Sequence, residues 1–169
     1  MEVGPELVGQ STAPTRDLYF AQLQDVGEWP EQIDQPTPHF VVFLAMDARA
    51  VESDRIASFA NRLIAQGMVY LCAWGPACER VHDIFDEVDI ERGSTGDAFL
   101  MTTWHEVEEL DDALWFALFA TNPGEDYIDT CRAVLAVVID HPEWGEQVKA
   151  RLADVDRFNN EVLAGESDT

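Results

Sequence analysis

Four short apolar runs, each trailed by an amphipathic helical stretch, constrain this chain more than any other feature. They are Phe40–Met46, Met68–Trp74, Ala98–Met101 and Ala133–Ile139. A strand buried on one face alternates apolar and polar residues, whereas a continuous apolar run signals burial on both faces, as in a parallel sheet covered by helices. The alternation of run and helix therefore predicts an α/β protein: a single three-layer α/β/α domain with a mainly parallel, four-stranded sheet. In such a sheet the loops that follow the strands gather at one edge, and a ligand site is expected just beyond the strands' carboxyl ends.

The segments between the runs supply the rest of the organisation. Residues 1–38 read as a Pro/Gly-rich N-terminal extension, punctuated by Pro5, Pro14, Pro30, Pro36 and Pro38. Within it Leu18, Tyr19, Leu23 and Val26 predict a short helix over Thr15–Val26, and residues 1–38 could add an edge strand to the sheet. The α/β domain spans residues 39–164, and 165–169 form a polar tail. A helix is expected from Val51 to Gln66, with Ile56, Phe59, Ala60, Leu63 and Ile64 on one side and Gly67 as its stop. Pro76 suits the first turn of a second helix, whose stripe is Val81, Ile84, Phe85 and Val88 and whose other face is acidic.

Gly93-Ser94-Thr95-Gly96 predicts a turn, and the third strand is expected to close at Thr102-Thr103. Thr103 with Glu106 has capping-box spacing, which would place the acids from Glu106 to Asp112 in the first turns of a third helix, where its dipole favours them. That helix carries Val107, Leu110, Leu114 and Leu118, widened by Trp115, Phe116 and Phe119. Such width predicts deep burial, or a homo-oligomer contact through those three aromatics. After Asp140-His141-Pro142 a closing helix places Trp144, Val148, Leu152, Val155, Phe158 and Val162 at spacings of three and four.

Charge narrows the function classes. The chain of 169 residues carries a formal net charge of −23. Such a field repels phosphates and anionic lipid surfaces, so neither nucleic acid nor membrane is an expected partner. From Asp83 to Asp129 there are fourteen acids against one base, Arg92. This block is either a solvated face or a docking surface for a basic protein, with Asp83, Asp86, Glu87, Glu108, Glu109, Asp111 and Asp112 as the contact residues. No apolar run approaches the ~20 residues that cross a bilayer. The amino terminus also lacks the basic segment and apolar core of a secretory signal. The three cysteines, Cys72, Cys78 and Cys131, lack disulfide-framework spacing. The expected compartment is the cytoplasm.

The loops after the strands hold Asp47; then Trp74, Cys78 and His82; then Thr102, Thr103 and His105; then Asp140 and His141. Three of the four histidines fall in this set. Cys78 in a first helical turn, with His82 four residues on, has the spacing of a nucleophile and its base, or of two metal ligands. The alternative is a packed thiol beside a surface histidine. A zinc site would need His105 or Asp140 as well. The candidate catalytic residues are thus Cys78, His82, Asp47, His105 and Asp140. No Gly-rich phosphate loop or nucleophile elbow is present, and no cofactor or metal is expected.

The segment Cys72-Ala73-Trp74-Gly75-Pro76-Ala77-Cys78-Glu79-Arg80-Val81-His82-Asp83-Ile84-Phe85-Asp86-Glu87 resembles an uncharacterised bacterial Rossmann-like α/β domain family, over about residues 39–141. The resemblance implies the fold and no activity. Two functions follow from the residues themselves. One is an acidic protein-binding module, of the immunity-protein or defence-accessory kind, docking on a basic partner. The other is a small enzyme or ligand sensor using the strand edge.

Overall fold

The computed structural model describes residues 4–34, 37–93 and 99–167. Pro36, Ser94, Thr95, Gly96 and Ala98, to which a proline stop, a turn and a strand start were assigned, lie outside them. So do residues 168 and 169 of the expected tail. Six strands and five helices are found among the described residues, in the order β1 (Glu6–Thr12), β2 (Thr15–Leu23), β3 (His39–Ala45), α1 (Ser53–Gln66), β4 (Met68–Trp74), α2 (Cys78–Glu91), β5 (Met101–His105), α3 (Leu110–Phe119), β6 (Cys131–Ile139), α4 (Pro142–Ala153) and α5 (Val155–Ser167). Two short 3-10 turns, Val26–Glu28 and Glu125–Tyr127, complete the path.

The strands lie in the order β1-β2-β6-β3-β4-β5. All neighbours run parallel except β1, which pairs antiparallel with β2. The α/β class and the mostly parallel sheet are as expected, but the sheet has six strands rather than four. The short helix expected over Thr15–Val26 is instead strand β2, in register with β6 from Asp17 opposite Ala133 to Leu23 opposite Ile139. Its Leu18 and Phe20 enter one core while Tyr19, Ala21 and Leu23 enter the other. Burial on both faces erases the period-2 signal that identifies a strand by sequence. Residues read as an N-terminal extension thus supply two strands of the sheet.

Two cores flank the sheet. On one face α1 and α2 place Ile56, Phe59, Leu63, Val81 and Phe85 against Val42, Leu44, Leu71, Leu135 and Val137. On the other, α3, α4 and α5 place Leu114, Leu118, Val148, Leu152 and Phe158 against Val41, Phe43, Val134, Ala136 and Val138. Alternate residues of β3 and β6 therefore go to opposite cores, which is why both strands read as unbroken apolar runs. Each fully buried side chain of this size contributes roughly 1.5–3 kcal/mol.

Several boundaries differ from expectation. β5 runs on through Thr102, Thr103 and Trp104 to His105, because β-branched and aromatic residues favour the pleated, half-buried surface without forming an apolar run. Thr103 is consequently mid-strand and caps nothing; α3 starts at Leu110 after Glu109. Pro76 precedes α2 rather than entering it, and Pro142 is the proline at a helix start. The single closing helix is broken at Asp154, so α5 folds across α3, where Trp115 Nε1 donates to Asn159 Oδ1 at 2.8 Å. Trp115, Phe116 and Phe119 are partly buried against the second core. Among the described residues no helix is long and apolar enough to cross a membrane.

Candidate functional site

The topology fixes where the strand-end loops diverge. From β3 the chain moves outward to β4 and β5 through α1 and α2 on one face, then returns through α3 on the other face to β6, beside β3. The loops after β3 and β6 therefore leave in opposite directions and open a crevice between them. Asp47, Arg49, Asp140 and His141 line that cleft, which has a volume of about 580 Å³. Three residues from the sequence set, Asp47, Asp140 and His141, are thus brought together.

The cleft walls are held by backbone and arginine contacts. Arg80 on α2 donates to the carbonyls of Ala48 and Val51, each at 2.7 Å, and to Ser53 Oγ at 2.9 Å, tying down the loop after β3. Met46 N–H donates to Trp74 O at 3.1 Å and Ala48 N–H to Pro76 O at 3.0 Å, joining that loop to the one after β4. Gly75 makes this approach feasible: its φ is 118°, and a Cβ there would fall far inside van der Waals contact with the Met46 carbonyl oxygen. Across the crevice Asp140 and His141 both have left-handed backbone, with φ of 58° and 46°. They are pinned by Asp140 N–H donating to Leu23 O at 2.7 Å and Gln22 Nε2 donating to Asp140 O at 2.8 Å.

The electrostatics of the cleft favour a fixed anion over an acid or base. Arg49 grips Asp47 through Nε at 2.9 Å and Nη2 at 2.6 Å. These bonds, with the Arg49 backbone N–H and a smaller contribution from His141, hold the Asp47 carboxyl down at about 2. A group ionised so far below neutrality is a weak general base. His141 stacks on Trp144 with ring centroids 3.8 Å apart, and its Nδ1 lies 3.1 Å from Glu143 Oε1. Trp144 meets Trp74 edge-on at 4.9 Å, and Trp74 Nε1 donates to the Glu108 carbonyl at 2.8 Å. An aromatic row thus spans the ends of β6 and β4.

The other candidates do not join this cleft. Cys78 is buried in the first core, and its thiol is pushed up by that burial, against a backbone N–H of His105 that favours the thiolate. His82 lies elsewhere, with Nδ1 3.0 Å from Asp83 Oδ1, Nε2 3.4 Å from Asp86 Oδ2, and its ring 4.5 Å from that of Trp104. The Cys78–His82 pair does not form, because Cys78 belongs to the buried stripe with Val81 and Phe85 whereas His82 sits on its margin. His105 forms a separate row: Nδ1 is 3.0 Å from Glu108 Oε2 and Nε2 is 3.0 Å from Thr103 Oγ1. The Thr103 hydroxyl facing Nε2 also lies 3.3 Å from the Leu71 carbonyl, to which it can donate. The His105 ring is buried against Phe116 while Glu108 stays exposed, and burial lowers the His105 pKa despite Glu108. Among the described residues no group of three or more His, Cys, Asp or Glu is placed to hold a metal ion. Cys78 and His82 with His105 or Asp140 therefore do not form a zinc-ligand group among the described residues.

The acidic block divides as the helices do. Asp83, Asp86 and Glu87 are on α2, with Asp86 Oδ1 accepting from Thr102 Oγ1 at 2.6 Å on β5. Glu106, Glu108 and Glu109 form the exposed loop after β5, and Asp112 opens α3. Asp89 is not on this surface: it is buried, and its carboxylate accepts the Leu100 N–H at 3.2 Å. Asp111 is committed internally, pairing with Arg151 Nη2 at 2.9 Å and accepting from Gln147 at 2.9 Å. Sequence reading assigned Glu108 only to the docking surface; its pairing with His105 arises where β5 ends and the following loop turns back.

Fold and edge together define an α/β protein whose mostly parallel sheet carries its polar groups beyond the strand ends. A family model described as a domain of unknown function (DUF7684) matches residues 18–155. The chain belongs to that family, and the match takes in β2 as well as the later strands. No curated protein matches the chain.

Proposed function

We propose that the protein is an acidic binding module of a bacterial cytoplasm, of the immunity or defence-accessory kind, which docks on a basic partner protein through the β5 edge. The reading is carried by one juxtaposition. β5 ends the sheet and, among the described residues, pairs only with β4. An edge strand offers every second N–H and C=O to another chain. Beside it Trp104 is 43% exposed and Val107 is 91% exposed. Asp83, Asp86 and Glu87 lie on α2, which meets β5 through Asp86–Thr102 and His82–Trp104, and Glu106, Glu108, Glu109 and Asp112 follow β5 in the chain beside Val107. An extended basic segment added along β5 would gain backbone hydrogen bonds, an aromatic anchor and opposite charge together. That all three cysteines are buried and free supports a reducing compartment.

The test is capture of a basic protein from the native host at low salt, followed by a salt gradient. Exposed charge pairs are screened beyond about 8 Å at physiological ionic strength, so release is expected at moderate salt. The double variant Asp83→Lys/Glu87→Lys should lose the partner. Reversal of the remote acids Asp154 and Asp156, beyond α4, should not. Retention that ignores salt, or equal loss in both variants, would defeat the reading.

A second reading rests on the crevice at the ends of β3 and β6. Because Asp47, Asp140 and His141 meet there, a small ligand sensor remains the alternative, with Arg49 and Asp47 as a fixed ion pair at its mouth. Variants at His141 and Asp140 would alter ligand binding under this reading and leave partner capture untouched.

A further inference from the structure

The opposite end of the sheet holds a basic cleft that neither reading uses. Arg16, near the start of β2, is only 5% exposed. Its Nη1 donates to Thr121 Oγ1 at 2.7 Å and its Nη2 to the Thr121 carbonyl at 3.1 Å. Thr121 lies just beyond α3, so the guanidinium meets the negative end of that helix. Both acceptors are nevertheless neutral. Nε is buried with no hydrogen-bond partner, and among the described residues no carboxylate pairs with Arg16.

Burial is what sets this unpaired guanidinium apart from the other basic side chains. Among the described residues Arg49, Arg55, Lys149, Arg151 and Arg157 have carboxylate partners, and the other unpaired arginines, Arg62, Arg80, Arg92 and Arg132, are less buried than Arg16. A buried charge without a counter-ion costs several kcal/mol. The neighbouring thiols do not supply one: burial pushes Cys131 up to about 11 and Cys72 up to about 12, so both are neutral. Arg16 lines a cleft of about 460 Å³ with Arg132, Thr121, Asn122, Phe119 and Ile128. Arg132 donates through Nε to the Asp129 carbonyl at 2.9 Å and, among the described residues, is in no ion pair. Ile128 on the same wall is 60% exposed. Among the described residues Asp129 is the one acid lining the cleft, and its carboxylate is in no ion pair with either arginine.

We infer that this cleft binds a small monocarboxylate with an apolar body, its carboxylate held between Arg16 and Arg132 and its body laid on Phe119 and Ile128. A guanidinium matches a planar carboxylate in geometry as well as in charge. The volume is that of a small-molecule site. The cleft lies at the end of the sheet opposite the Asp47–His141 crevice.

The test uses the full chain, with hexanoate as probe and hexanamide as its neutral control, followed by amide chemical shifts. Hexanoate should give saturable shifts at Arg16, Thr121, Asn122 and Arg132. Hexanamide should bind at least about tenfold more weakly, because the charge-assisted bonds are lost. Arg132→Gln, an exposed position, should weaken hexanoate by about tenfold while leaving the thermal midpoint unchanged. Arg16→Gln should abolish binding but also removes the contacts to Thr121, so Arg132→Gln decides the matter. Equal affinity for both probes, undiminished affinity in Arg132→Gln, or no saturable shift at these amides would overturn the inference.

Discussion

Replacing Gly75 by alanine should cost far more than the same change at Gly93. Both residues have positive φ, 118° and 83°. Each alanine therefore loses about 1 kcal/mol to left-handed backbone strain. At Gly93 the added methyl meets nothing within 4 Å, so the cost stops there. At Gly75 it meets the Met46 carbonyl oxygen, a backbone atom that cannot swing aside. The loops must separate, breaking Met46 N–H to Trp74 O and Ala48 N–H to Pro76 O. Each such bond contributes about 1 kcal/mol. The account therefore predicts about 3 kcal/mol for Gly75→Ala and about 1 kcal/mol for Gly93→Ala. Urea unfolding with an unchanged m-value measures both. Equal losses would show that the close approach of the two loops is not what requires glycine at position 75.

Three further outcomes follow. Burial lowers the His105 pKa below the 6.5 of an exposed histidine, so the unfolded chain takes up a proton first; stability should be full above pH 6.5 and decline as pH falls below it, and His105→Gln should flatten that slope in urea titrations. Asp47 has the same sign in a lower window: its contribution is present above its ordinary 3.8 and lost as pH falls toward about 2, and Arg49→Ala should move the carboxyl resonance midpoint upward in an NMR titration. Burial raises the pKa of all three thiols, so the native protein should be inert to a disulfide reagent and react at three sites once unfolded.

The central strands were legible because β3, β4 and β6 combine length, apolar continuity and a following helix. β2 was not, since Arg16, Asp17 and Gln22 interrupt its run and Leu18, Tyr19, Leu23 and Val26 imitate a helical stripe. β5 was placed too early because Thr102, Thr103 and Trp104 form a strand by shape rather than by apolarity. The strand-edge rule depends on topology alone, and Asp47, Asp140 and His141 line one cleft. It could not separate Cys78 from His82, where the facing of one helix decides which side chain enters the core. The Arg16–Thr121 contact spans 105 residues, and no local pattern announces such a pair.

The proposed docking mode is tested most directly by amide hydrogen exchange of β5 with and without the captured basic partner. The account predicts slowed exchange within Met101–His105 and around Val107, lost in Asp83→Lys/Glu87→Lys. Failure to capture any basic partner at low salt, or protection confined to the Asp47–His141 crevice while β5 exchanges as before, would contradict it.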